Sequence, residues 1–119
     1  MRILVVVPMA EMGKPLSVRL DDVGDLLAQL AGTRRTQRQG LVEWRYHGRL
    51  VARQLDATHL VVRAEFDARD RMLERHPGTF SVPPRFAKHM MVVADLERGD
   101  PAAIEDALAA AWELQRRAE

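Results

Sequence analysis

Apolar residues recur along this chain in two rhythms, and each change of rhythm marks an element boundary. Val23, Leu26, Leu27, Leu30 and Ala31 fall at i, i+3, i+4, i+7 and i+8, the spacing of a helix that turns one face to a core. Asp21 and Asp22 precede it as cap and first-turn acids, where the helix dipole favours negative charge, and Gly32 closes it. From Thr33 to Gly40 the apolar signal vanishes and Arg34, Arg35 and Arg38 dominate; the pattern predicts a loop. Strand character follows from Leu41 to Val62. Val42, Trp44 and Tyr46 alternate with Glu43 and Arg45, the period-two signature of a half-buried strand. His47-Gly48 is a tight hairpin turn, with glycine supplying the positive φ. Leu50 to Leu55 is a second strand without clean alternation, and His59 to Arg63, beyond Asp56-Ala57-Thr58, is a third. An uninterrupted meander of this kind is antiparallel and must find helices to cover one face.

Helical spacing returns from Ala68 to His76, with Asp67 expected as the cap and Pro77-Gly78 as the stop. Phe80 to Val82 is a short strand ended by Pro83-Pro84, which cannot donate ladder hydrogen bonds. Met90 to Leu96 is a stronger strand. Asp100-Pro101 is an acid cap followed by proline at the first helical position. Ile104, Ala107, Leu108, Ala111 and Trp112 then form the apolar stripe of a last helix. The expected architecture is α+β: a two-layer domain in which a five-stranded antiparallel sheet is covered by helices, in the order α-β-β-β-α-β-β-α. Residues 1–16 are expected to be an N-terminal tail or an extra strand, because Pro8, Gly13 and Pro15 separate the run Ile3 to Val7 from the first clear element. Residues 17–119 form a single domain.

Composition narrows the chemistry. The 119 residues suit one domain with a real core. The absence of cysteine removes disulfides, thiolate metal sites and a cysteine nucleophile. No run approaches the roughly 18 apolar residues that span a bilayer, so no membrane association and a cytoplasmic location are expected. The net charge is only +1, yet it is unevenly spread. Arg34 to Arg63 holds seven arginines against Glu43 and Asp56, whereas Asp95 to Glu119 holds seven acids against three arginines. One sheet surface is therefore expected to be basic and the last helix acidic.

Reactive groups are sparse. His47, His59, His76 and His89 lack helical i, i+4 spacing with another metal ligand, and a zinc site needs three or four converging ligands. Ser81 stands beside Pro83-Pro84 rather than in a nucleophile turn, and the seven glycines are dispersed rather than gathered in a phosphate loop. The expectation is a non-enzymatic protein with no cofactor and no metal.

The segment Trp44-Arg45-Tyr46-His47-Gly48-Arg49-Leu50-Val51-Ala52 resembles the aromatic-x-x-x-Gly-Lys-x-Phe-Ala hairpin of the MmcQ/YjbR-like family. The acid-rich second helix ending at Pro77-Gly78, the pair Lys88-His89 before a hydrophobic strand, and Ala111-Trp112-Glu113-Leu114 agree in order. Arg49 replaces the usual lysine, Val51 an aromatic, and Met90 or Met91 a tryptophan. The resemblance covers roughly Asp21 to Arg117. It implies a two-layer domain with one antiparallel sheet, and a double-wing style of DNA binding that has been suggested for the family by structural analogy.

The residues themselves point the same way. Arg45, Arg49 and Arg53 surround one hairpin, and Arg85, Lys88 and His89 precede a strand of the same sheet. A hairpin bearing arginine at its tip can touch a DNA backbone or groove. These six residues are the nucleic-acid-binding candidates, with duplex DNA as the expected partner. The competing expectation is a protein-interaction or chaperone-like adaptor that uses the open sheet face; on either reading the protein is expected to be a monomer or weak homodimer. The ordinary alternative use of the arginines is to solvate the sheet or to pair with Glu43 and Glu65.

Overall fold

A computed structural model describes residues 20–118. The expected tail or extra strand at residues 1–16 lies outside the described residues. The elements run α1 (Leu20–Ala28), β1 (Thr33–Arg38), β2 (Leu41–Tyr46), β3 (Arg49–Gln54), β4 (His59–Arg63), α2 (Phe66–Arg75), β5 (Phe80–Ser81), β6 (Met91–Asp95) and α3 (Pro101–Arg117). A single 3-10 turn, Pro84–Phe86, joins β5 to β6. The α+β class with an antiparallel sheet is as expected. The strand count and the order are not: the described residues hold six strands where five were expected, so the elements follow α-β-β-β-β-α-β-β-α rather than α-β-β-β-α-β-β-α, and the strands lie side by side as β1-β2-β3-β4-β6-β5.

The extra strand is Thr33–Arg38, which the sequence pattern assigns to a loop. Every residue from Arg34 to Arg38 is exposed, so burial leaves no period-two signal there to read. What makes it a strand is pairing: Thr33 to Arg38 align antiparallel with Tyr46 to Leu41. The turn between them, Gln39-Gly40, has φ of 54° and 80°. Two successive positive φ values define the type I′ turn, whose twist matches that of the flanking strands. His47-Gly48 repeats this geometry with φ of 48° and 85°, so β1, β2 and β3 form two tight hairpins in succession.

The three helices of the described residues pack against one sheet face. Val23 and Leu27 of α1, Ile104 and Leu108 of α3, and Leu60, Val62, Val92 and Ala94 of the sheet share one core, with Met72 and Leu73 of α2 at its margin. Fully buried side chains such as Leu27, Leu60, Ile104 and Leu108 each contribute about 2 kcal/mol through water release. Trp44 and Tyr46 lie in this core at 3% and 9% exposure. Asp100 caps α3 as the sequence indicates, its carboxylate accepting from the N–H of Ala102. Asp67 does not cap α2: the helix begins at Phe66, Glu65 holds the capping position without a side-chain bond, and Asp67 lies in the first turn. None of the described helices is long and apolar enough to cross a membrane.

The strand β3 resists a simple alternation because it carries a bulge against β2. Pairing runs Glu43 with Arg53 and Trp44 with Ala52, then shifts to Arg45 with Leu50. The extra residue lets Val51 and Ala52 both enter the core, as a β-bulge permits. Gln115 of α3 supports this region by donating from Nε2 to the Leu50 carbonyl at 2.7 Å.

Candidate nucleic-acid interface

The face of the sheet away from the helices is divided into two parts. Around β4 and β6, Val61 and Val93 are covered by Phe86 and Val82, which the segment after β5 folds across the sheet. Around β1, β2 and β3 the face stays open, and register determines what it displays. Arg34 stands opposite Arg45, Thr36 opposite Glu43, and Glu43 in turn opposite Arg53. Directly opposed residues share one face, so this strand region combines three arginines and one buried carboxylate.

Where this open face meets the 3-10 turn there is a groove of about 350 Å³. Arg38, Arg45, Arg53 and Arg85 form its rim, and Leu41, Leu55 and Phe86 supply apolar lining. Glu43 is the acid among the lining residues and is only 8% exposed. Its Oε1 accepts from Arg45 Nε at 2.9 Å, while Arg45 Nη1 donates to the Gly48 carbonyl at 3.0 Å. Arg45 is thereby fixed from both sides. Arg38, Arg53 and Arg85 form no ion pair with another described residue, and Arg85 lies over the Phe86 ring at 4.8 Å. Arg34 faces Arg45 as a like-charge cross-strand pair, an arrangement that is destabilising in a sheet.

Three of the six candidates from the sequence therefore come together: Arg45, Arg53 and Arg85. The others do not. Arg49 pairs with Tyr46 in register and reaches the Ala118 carbonyl at the end of α3, on the helix side. Lys88 and His89 are exposed in the loop before β6 and do not line the groove. That loop is held from below by Arg69, whose guanidinium donates to the carbonyls of Phe86, Ala87 and His89. Glu65 pairs with Arg117 of α3, so of the two expected acid partners only Glu43 reaches the basic face. Sequence reasoning missed Arg34 and Arg38, because they belong to the strand read as a loop. The available signal was Gln39-Gly40, a two-residue turn between a polar run and a clear strand.

Two other features lie apart. A cavity of about 610 Å³ opens between α1 and β1, where Asp21 and Asp25 offset Arg35. At the β3–β4 turn, Asp56 Oδ1 accepts from the Thr58 N–H at 2.9 Å and lies 3.0 Å from His59 Nδ1. The Thr58 amide first, and the imidazole second, hold the Asp56 carboxyl below its ordinary range.

The fold and site define a class: a two-layer α+β domain with one sheet face packed by helices and the other carrying an arginine-rimmed groove. Compared with known proteins, the chain matches no family model, no curated protein and no solved structure.

Proposed function

We propose that this is a non-enzymatic, cytoplasmic DNA-binding protein of the MmcQ/YjbR-like type, which lays its open sheet face along the phosphate backbone of duplex DNA. The observation that carries this reading is the convergence of Arg38, Arg45, Arg53 and Arg85 on one groove. Arginine suits this work, because its planar fork meets phosphate oxygens in pairs and stays charged at every working pH. Trp44 and Tyr46, being buried, take no part; backbone charge rather than aromatic stacking supplies the affinity. An adaptor that docks a protein has less support. Leu41 and Phe66 are the exposed large hydrophobics among the described residues, and Arg69 covers the Phe66 ring at 4.9 Å.

The test is fluorescence anisotropy with a labelled duplex over a range of salt. Four or five phosphate contacts release about as many counterions, so affinity should fall about 150- to 500-fold between about 50 and 200 mM salt. No association with duplex at about 20 mM salt, where screening is weak, would refute the reading.

A further inference from the structure

Glu43, only 8% exposed, holds Arg45 and also lies among the lining residues of the groove. Oε1 is occupied by Arg45 Nε, and Oε2 accepts no hydrogen bond from another described residue. A second acceptor without a protein partner, on a residue that lines a cationic, partly apolar groove, suits a ligand that brings a donor as well as negative charge. An exocyclic base amino group beside a phosphodiester is such a ligand. The volume of about 350 Å³ falls near the lower limit of small-molecule sites, about 300 Å³, and suits one base. Leu41 and Leu55 offer apolar surface to its ring, and the Arg85 guanidinium, backed by the buried Phe86, offers a plane to stack on.

We propose that the groove seats one unpaired nucleotide of the bound DNA, and that Glu43 selects an amino-bearing base, cytosine above thymine. This rests on the DNA-binding reading of the same face. Cytosine N4 can donate to Oε2 from the corner of its ring, the pairing that carboxylates make with cytosine. Thymine offers only its N3–H, flanked by O2 and O4, whose lone pairs are repelled by the carboxylate. A paired base cannot reach the groove without leaving the stack, whereas an unpaired one enters at low cost.

The test compares three labelled duplexes at one salt concentration: fully paired, with a single bulged cytidine, and with a single bulged thymidine. The cytidine bulge should bind about tenfold tighter than the other two, the worth of one charge-assisted hydrogen bond. Glu43→Gln, with folding verified by circular dichroism, should erase the difference between the bulges. The same variant should bind the paired duplex more tightly, since one negative charge has gone from the groove. Equal affinity of wild-type protein for both bulges, with the paired duplex still bound, would overturn the groove assignment and leave backbone binding standing. Failure to bind any duplex would overturn both.

Discussion

The guanidinium of Arg69 donates to the His89 carbonyl at 2.8 Å, joining the first turns of α2 to the loop that precedes β6. The same group reaches the carbonyls of Phe86, at 3.3 Å, and Ala87, at 3.1 Å. One fork thus gathers a loop with no regular ladder of its own, and that loop delivers Arg85 and Phe86 to the groove.

Arg69→Ala should therefore destabilise the protein by about 2 kcal/mol, because several carbonyls lose a charged donor together. Arg69→Lys should recover little, since an ammonium cannot span carbonyls that a planar fork can. Thermal unfolding by circular dichroism measures both, and a fall of roughly 8 °C is expected for the alanine variant. An unchanged midpoint would show that the loop holds itself.

Gly32 and Gly48 both have positive φ, of 80° and 85°, but their surroundings differ. A methyl group at Gly32 would lie 2.6 Å from Tyr46 Cε2 and 3.0 Å from His47 Nε2, whereas one at Gly48 would meet open space. Gly48→Ala should cost about 1 kcal/mol, the backbone penalty alone. Gly32→Ala should cost about 3 kcal/mol, because overpacking against the Tyr46 ring is added. Urea unfolding of the two variants side by side would check the ranking.

Removing the Gln115 amide should weaken the bulge. Its Nε2 donates to the Leu50 carbonyl, and Gln115 is 7% exposed. Gln115→Leu leaves that carbonyl unpaired under an apolar cover and should cost about 2 kcal/mol. Hydrogen exchange at the amides of β3 should quicken in the same variant, and unaltered exchange there would detach Gln115 from the strand.

Asp56 sets an acid limit on the β3–β4 turn. Its carboxyl is held below the ordinary range, first by the Thr58 N–H and then by His59. A depressed folded value means the ionised form is favoured by folding. The turn's contribution is therefore complete above the ordinary carboxylate range and is lost as pH falls through the depressed value. A carboxyl-carbon NMR titration should place Asp56 below the ordinary aspartate range, and Asp56→Asn should remove this acid-dependent step from the stability profile.

Arg38→Ala and Arg53→Ala should each weaken duplex binding and lower the salt slope by about one unit, as expected when one phosphate contact is removed. Arg49→Ala, on the helix side of the sheet, should leave that slope unchanged. If Arg49→Ala proved the more damaging in anisotropy titrations, the interface would lie on the other face.

The sequence by itself determined the elements that carry their own periodicity. The stripe of α3, the alternation of Val42, Trp44 and Tyr46, and the Asp100-Pro101 start are local signals, and each reappears where expected. It also located the charge surplus between Arg34 and Arg63. Only the tertiary structure decided that Thr33–Arg38 is a strand, because its evidence is a set of hydrogen bonds to β2 rather than a pattern of burial. The same holds for the groove. Arg38, Arg53 and Arg85 are distant in sequence and meet through strand register and a loop folded over the sheet. Sequence spacing fixes neighbours along a strand or a helix face, but neighbours across a sheet are set by pairing, and pairing is a property of the whole fold.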